Sequence, residues 1–316
     1  MSGKHDPRQI RLPDREALAA AVTILRQDGL VAVPTETVYG LAARADSSDA
    51  VAAIYRAKGR PDFNPLIVHV RDLAQGERLA LFGASARALA AAFWPGALTL
   101  VLPLRGDAAI APAVTAGLPT IALRCPAHPV MQQVLHDSGF ALAAPSANRS
   151  GGVSPTSAAH VAASLGERVP LILDGGDCPA GIESTIVALR DNGTWQVLRP
   201  GPIGADALAA VLGTDPVLAE TAGIEAPGQL ASHYAPGKPV RLEATDQAAD
   251  EFLIGFGSVG GDISLSPGGD LAEAAARLYA CLHHAAAAVQ PRIAVAPIPG
   301  TGIGAAINDR LRRAAA

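Results

Sequence analysis

The sequence predicts an α/β protein with a larger domain around a twisted mixed sheet and a smaller open α/β domain after it. Three observations predict this. Short apolar, β-branched runs alternate with alanine-rich stretches of helical period through most of the chain. Asp191-Asn192-Gly193 stands between two strand-like runs, a hairpin signal that argues against a purely parallel sheet. Periodicity then lapses across residues 214–238, which hold Pro216, Pro227, Gly228, Pro236 and Gly237, and returns at Pro239. The expected units are therefore a domain over 1–213, a linker over 214–238 and a domain over 239–316.

Residues 14–29 read as an amphipathic helix, with Leu18, Val22 and Leu25 on one face and Gly29 as C-cap. Residues 30–34 follow as a short buried strand. Ser47 or Ser48 caps a second helix that runs to about Ala57. Residues 66–70 form a strand, 85–94 a helix stopped by Pro95-Gly96, and 97–102 and 120–124 two further strands. A helix over 128–135 precedes a strand over 140–144 that delivers Pro145-Ser146-Ala147-Asn148. Ser154, Pro155 and Thr156 open a helix ending near Gly166. A strand over 170–174 meets Gly175-Gly176, and 184–190 pairs with 195–199 across the Asn-Gly turn. One more helix ends near Leu212. In the second unit, 240–243, 252–256 and 292–296 read as strands, and 270–288 and 303–315 as helices. No internal repeat is present.

Composition narrows the function. A chain of 316 residues, half of them apolar, buries a sizeable core. Its net charge of −4 and its aromatic content of 4% argue against a broad surface that tracks nucleic acid. They leave room for a local basic pocket. Mean hydropathy is +0.26, yet no unbroken apolar run of about 18 residues is present. The first eight residues are polar. The expectation is a soluble, cytoplasmic protein with no membrane contact. Cys125, Cys178 and Cys281 are far apart, and neither CxxC nor HExxH occurs, so neither a disulfide framework nor a zinc site is expected.

Known nucleotide motifs are absent or incomplete. Residues 300–307, GTGIGAAI, imitate a dinucleotide fingerprint, but the sequence ends before the acidic ribose contact that fingerprint needs. Gly237-Lys238 is followed by Pro239, so no P-loop forms. What remains is a scatter of short polar groups at strand and helix ends. Lys58-Gly59-Arg60 offers a mobile point charge and a rigid fork for phosphate or carboxylate, or a solvated turn. Ser146 and Asn148 offer hydrogen bonds to an anion or a ribose, or close an ordinary turn. The run from Gly175 to Ile186 forms either an anion nest backed by Ser184 and Thr185 or a plain glycine-rich connection. Arg124 and Arg199 end strands. Thr35 and Thr37 face a ligand or cap their own turn. Glu36 orients a cation, and His69 is a cleft residue or a core histidine. Together these groups suit a cleft for a phosphorylated ligand and small polar substrates, and no nucleophilic triad accompanies them.

The ordered set TETVYGL (35–41), KGRP (58–61), PGALT (95–99), PSANRSGG (145–152) and STIV (184–187) resembles the YrdC-like threonylcarbamoyl-AMP synthases. APGQLASHYAP (226–236) and AINDRL (306–311) are similar to the longer, two-domain form of that family. The resemblance implies a YrdC-like catalytic domain with a concave face, then a linker and a small Rossmann-like domain. It implies synthesis of threonylcarbamoyl-adenylate from L-threonine, bicarbonate and ATP, with Mg2+ accompanying the nucleotide and pyrophosphate released. Other proteins would carry the group to tRNA beside the anticodon, so firm tRNA binding is not expected of this chain.

The same resemblance distributes roles. Lys58, Arg60, Ser146 and Asn148 would line the phosphate and carbamate region and act in catalysis. Thr35, His69, Arg124 and Thr185 would hold threonine, and Ser184 and Arg199 would contact the nucleotide. His233 and Tyr234 would come from the linker as a lid. The alternatives are a non-catalytic nucleotide- or RNA-binding module, a carbamoyl-group enzyme of hydrogenase maturation, and an unrelated ATP-dependent ligase. The second normally carries cysteine pairs that this sequence lacks, and dependence on threonine separates the third.

Overall fold

A computed structural model describes residues 9–60, 64–190, 192–217, 225, 226 and 233–316. Pro61, Asp191 and residues 227–232 of the linker motif lie outside them.

The first domain contains β1 (Ile10–Arg11), β2 (Val31–Val33), β3 (Gly40–Arg44), β4 (Ile67–His69), β5 (Leu98–Pro103), β6 (Thr120–Arg124), β7 (Leu142–Ala143), β8 (Leu171–Leu173), β9 (Thr185–Leu189) and β10 (Trp195–Arg199). They make one sheet in the order β1-β8-β2-β3-β7-β4-β6-β5-β9-β10. The sheet is mixed, as expected: β5 runs parallel to β9, while β9 and β10 form the predicted antiparallel hairpin. Two registers converge on Arg124 of β6. Parallel pairing sets His69 of β4 opposite it, and antiparallel pairing sets Thr99 of β5 opposite it from the other side.

Helices α1 (Arg15–Arg26), α2 (Ser48–Lys58), α3 (Leu73–Glu77), α4 (Ala84–Phe93), α5 (Pro112–Thr115), α6 (Pro129–Ser138), α7 (Ala158–Leu165) and α8 (Ala205–Leu212) cover the sheet. Asp14 caps α1 by accepting from the Ala17 N–H at 2.7 Å, and Ser47 caps α2. Gly29 is not the C-cap of α1. The helix closes at Gln27, and Asp28 takes the left-handed turn at φ 59°. At the end of α2, Gly59 does take that conformation (φ 60°), which sends Lys58 inward and Arg60 out along a new direction. Strand β3 has no signal in the sequence. Gly40-Leu-Ala-Ala-Arg has little intrinsic strand preference, and pairing with β2 on one side and β7 on the other makes it a strand.

The second domain holds β11 (Val240–Arg241), β12 (Glu251–Gly255), β13 (Ile263–Ser264) and β14 (Arg292–Val295), with α9 (Leu271–Ala287) and α10 (Ile303–Ala314). Its sheet, β11-β14-β12-β13, is wholly parallel. Its core is not its own. Val38, Val153 and Ile182 of the first domain are buried in one cluster with Tyr234, Leu278 and Leu311. The Gly181 backbone presses on α9 so closely that a Cβ there would lie 2.4 Å from the Ala275 carbonyl oxygen, and its φ is +68°. His160 and His283 stack across the junction with ring centroids 3.9 Å apart. Linker residue Ala226 is buried against Ile67, Ala122 and Ile186, and Glu225 pairs with Arg190 at 2.6 Å. The described part of the linker therefore lies on the face of the large sheet.

Candidate active site

An open cleft with about 560 Å³ of empty space, part of it continuous with solvent, lies where β4, β6, the start of β9 and the end of β10 meet the linker. Thr35, Arg60, His69, Arg124, Ser146, Ser184, Arg199, His233 and Tyr234 line it. Sequence reasoning places all of these at one site. Lys58, Asn148 and Thr185 stand behind the wall rather than on it.

One side is built on Arg124. Its Nη1 donates to Thr37 Oγ1 at 2.8 Å, its Nε to the Gly96 carbonyl, and its Nη2 lies 2.7 Å from Glu36 Oε1. Burial disfavours the Glu36 carboxylate, but Arg124 more than offsets this and lowers its pKa. Thr35 Oγ1 donates to the Val38 carbonyl at 2.6 Å and lies 2.9 Å from Thr37 Oγ1, so its hydroxyl serves its own turn first. His69 is buried with no partner at Nδ1. Burial, helped by the charge of Arg124, pushes its pKa down to about 3. It offers the cleft a neutral imidazole.

The middle is built on the end of α2. The buried Lys58 ammonium donates to the backbone carbonyls of Ser146 and Asn148, the latter at 2.6 Å. It is a strut that fixes the Ser-x-Asn loop to the helix, and burial pushes its pKa well down. Asn148 Nδ2 donates to the carbonyls of Arg149 and Gly152, at 2.9 and 2.8 Å, and its buried Oδ1 has no partner. Arg60 Nη2 donates to the Pro65 carbonyl at 2.9 Å, while its Nε is unpartnered. Burial lowers its pKa to about 10, which leaves it charged at neutral pH.

The far side is built on Arg199. Nε and Nη2 both donate to the Ser184 carbonyl, at 3.1 and 2.9 Å, and Nη2 also reaches Ser184 Oγ. Thr99 Oγ1, beside Arg124 in the sheet, lies 2.7 Å from Ser184 Oγ. The two sides are thus one continuous wall. Thr185 is not part of it: its hydroxyl donates to the Ile203 carbonyl at 2.8 Å and accepts from the Ile203 N–H. Strand alternation explains this, because Ser184 and Thr185 point to opposite faces.

Two residues of the linker, His233 and Tyr234, also line the cleft. His233 is tied through its N–H to the Arg313 carbonyl, and burial brings its pKa to about 4. Tyr234 is buried at φ 65°, a left-handed conformation held by packing against Tyr279, whose ring lies 5.5 Å away. Glu183 escapes sequence reasoning. Its only signal is an acid directly before Ser184 and Thr185. It lines the cleft, accepts from Ser154 Oγ at 2.6 Å, and accepts at Oε2 from Tyr279 and Arg310. Burial opposes its charge, yet Arg310 and Arg199 hold its pKa at about 2.

A mixed sheet, a cleft lined by Arg60, Arg124 and Arg199 with hydroxyls between them, and a second, smaller parallel-sheet domain define a two-domain α/β protein with a polar cleft. Two family models account for almost all of it: "Telomere recombination" over residues 23–201, and "Threonylcarbamoyl-AMP synthase, C-terminal domain" over residues 203–316. The chain belongs to the YrdC-like threonylcarbamoyl-AMP synthase family, in its two-domain form. It is 41% identical to the threonylcarbamoyl-AMP synthase of Bacillus subtilis, over 94% of this chain and 92% of that one. It is 36% identical to the Pyrococcus abyssi synthase over 93% and 92%. The crystal structure of P. abyssi Sua5 complexed with L-threonine superposes with a TM-score of 0.88 at 35% identity, covering 97% of this chain and 96% of that one.

Proposed function

We propose that this chain makes L-threonylcarbamoyl-AMP from L-threonine, bicarbonate and ATP, releasing pyrophosphate, for modification of tRNA beside the anticodon. The observation that carries the reading is the continuous wall from Arg124 through Thr99 and Ser184 to Arg199. It offers one fixed cation to a carboxylate and another to a nucleotide, with Arg60 between them on the opposite lip.

Bicarbonate takes up a proton and loses water to give CO2; the neutral amine of threonine attacks that carbon, gives up one N–H proton to solvent and becomes a carbamate. A carbamate oxygen then attacks the α-phosphorus, and the pyrophosphate leaves with its bonding pair. The attack brings two anions together. Arg60 lowers that repulsion, and its unpartnered Nε is a donor direction the fold leaves unused. Lys58 holds the Ser146–Asn148 loop in place and so fixes Ser146 on the cleft wall. His69, neutral, accepts or donates without adding charge beside Arg124. His233 and Tyr234 exclude water, which protects a labile carbamate.

Magnesium would arrive with the triphosphate. Among the described residues no cluster of three metal-ligating side chains exists, and both oxygens of Glu183 are engaged. The described residues offer no cage, so phosphate oxygens would be the main ligands. We place the reaction in the cytoplasm, with the adenylate passed to a separate tRNA-transferring machinery. Among the described residues no helix is long and apolar enough to cross a membrane.

The test is pyrophosphate release from ATP, with and without L-threonine and bicarbonate, and mass spectrometry of the quenched mixture. Release that needs both substrates and yields the threonylcarbamoyl-adenylate mass is expected. Release that needs neither refutes the reading.

A further inference from the structure

We propose that Arg310, on the last helix of the second domain, is a positioning residue for the nucleotide side of the cleft. It does so by holding the two residues that flank the Ser184–Arg199 pair. Arg310 has 0% exposure and sits across the junction from the cleft. Its Nε donates to Glu183 Oε2 at 2.9 Å, and Glu183 directly precedes Ser184. Its Nη2 donates to the Pro200 carbonyl at 2.9 Å, and Pro200 directly follows Arg199. One rigid fork therefore spans the start of β9 and the end of β10, where the hairpin opens and β10 loses register after Val197.

The fork is itself held. Nη1 donates to Asp309 Oδ2 at 2.6 Å, and the guanidinium lies 5.5 Å over the Tyr234 ring. Tyr279 of α9 adds a second tie to Glu183 at 2.8 Å. The ring of Tyr234, the carboxylate of Glu183 and the Arg199 clamp are thus all held from behind by a buried side chain that does not itself line the cleft. A lysine could satisfy Glu183 or Pro200 from that position, but not both, because it lacks the planar spread of donors.

This inference rests on the nucleotide assignment proposed above, and its test separates the two. Arg310→Met and Tyr279→Phe are compared with the unaltered chain in two assays: steady-state pyrophosphate release, and calorimetric titration with ATP alone. The expected result is a KM for ATP, and a Kd for ATP, raised about tenfold in Arg310→Met and less in Tyr279→Phe, while the KM for L-threonine stays within about twofold. Arg310→Lys should recover part of the ATP affinity. A residue that merely stabilises the fold would lower the melting temperature and leave the two KM values unsplit. That result, or a threonine KM that rises in step with ATP, overturns the proposal. If Arg310→Met does not fold, unaltered ATP affinity in folded Tyr279→Phe overturns it. If the unaltered chain binds ATP but releases no pyrophosphate, the functional reading fails, and the titration still decides the role of Arg310.

Discussion

Replacing Lys58 by methionine keeps the length of the side chain and removes its charge and donors. In the structure Lys58 is 3% exposed, and its ammonium donates to two carbonyls, those of Ser146 and Asn148. The Ser146 carbonyl keeps the Asn148 N–H at 3.0 Å, so the Asn148 carbonyl is the one left without a donor, which costs about 1–3 kcal/mol. Relief from burying an ammonium returns part of that. The net loss is on the order of 1–2 kcal/mol, a fall in Tm of roughly 2–3 °C for a chain of this size. The loop it releases carries Ser146 on the cleft wall, so turnover should fall by about 10²-fold, the order of loss expected when a positioned group shifts by about 1 Å. Differential scanning fluorimetry and pyrophosphate release on the same preparation read both numbers. A variant that melts like the parent and turns over within about threefold of it refutes the strut. A lowered Tm with parental turnover would leave Lys58 structural only.

Three further outcomes are expected. Thr185→Val removes a hydroxyl that serves Ile203, so it should lower stability by about 1 kcal/mol and leave both KM values within about twofold; a large rise in the threonine KM would restore the direct contact that the family resemblance implies. Gly181→Ala puts a Cβ 2.4 Å from the Ala275 carbonyl at a positive φ, so the domains should separate, with faster proteolysis between them and lower turnover; parental proteolysis and rate would show that the junction yields easily. Burial and the neighbouring His283 push the His160 pKa down to about 4, below its unfolded value near 6.5. Its neutral ring therefore contributes in full above pH 6.5 and progressively less as pH falls towards 4. His160→Phe should flatten the loss of urea resistance between pH 7 and 5, and an unchanged slope would move the acid sensitivity elsewhere.

Local chemistry made much of this molecule legible in its sequence. Asp14, Ser47 and Asp270 cap the helices their positions announce, and the Asn-Gly turn joins β9 to β10. Ser146, Arg124 and Arg199 emerge at strand or loop ends beside the cleft because a buried strand has nowhere else to put polar groups. Those facts depend on neighbours a few residues away. What distance along the chain hides, only the tertiary structure decided. Lys58 reads as a free cation and proves to be a buried strut, because its carbonyl partners lie about ninety residues further on. Thr185 reads like Ser184 and faces the other way. Glu183 and Arg310, 127 residues apart in the sequence, meet as a buried ion pair across the junction between the domains. Their charges survive burial only because each meets the other, and which charges meet is fixed by how the two sheets dock.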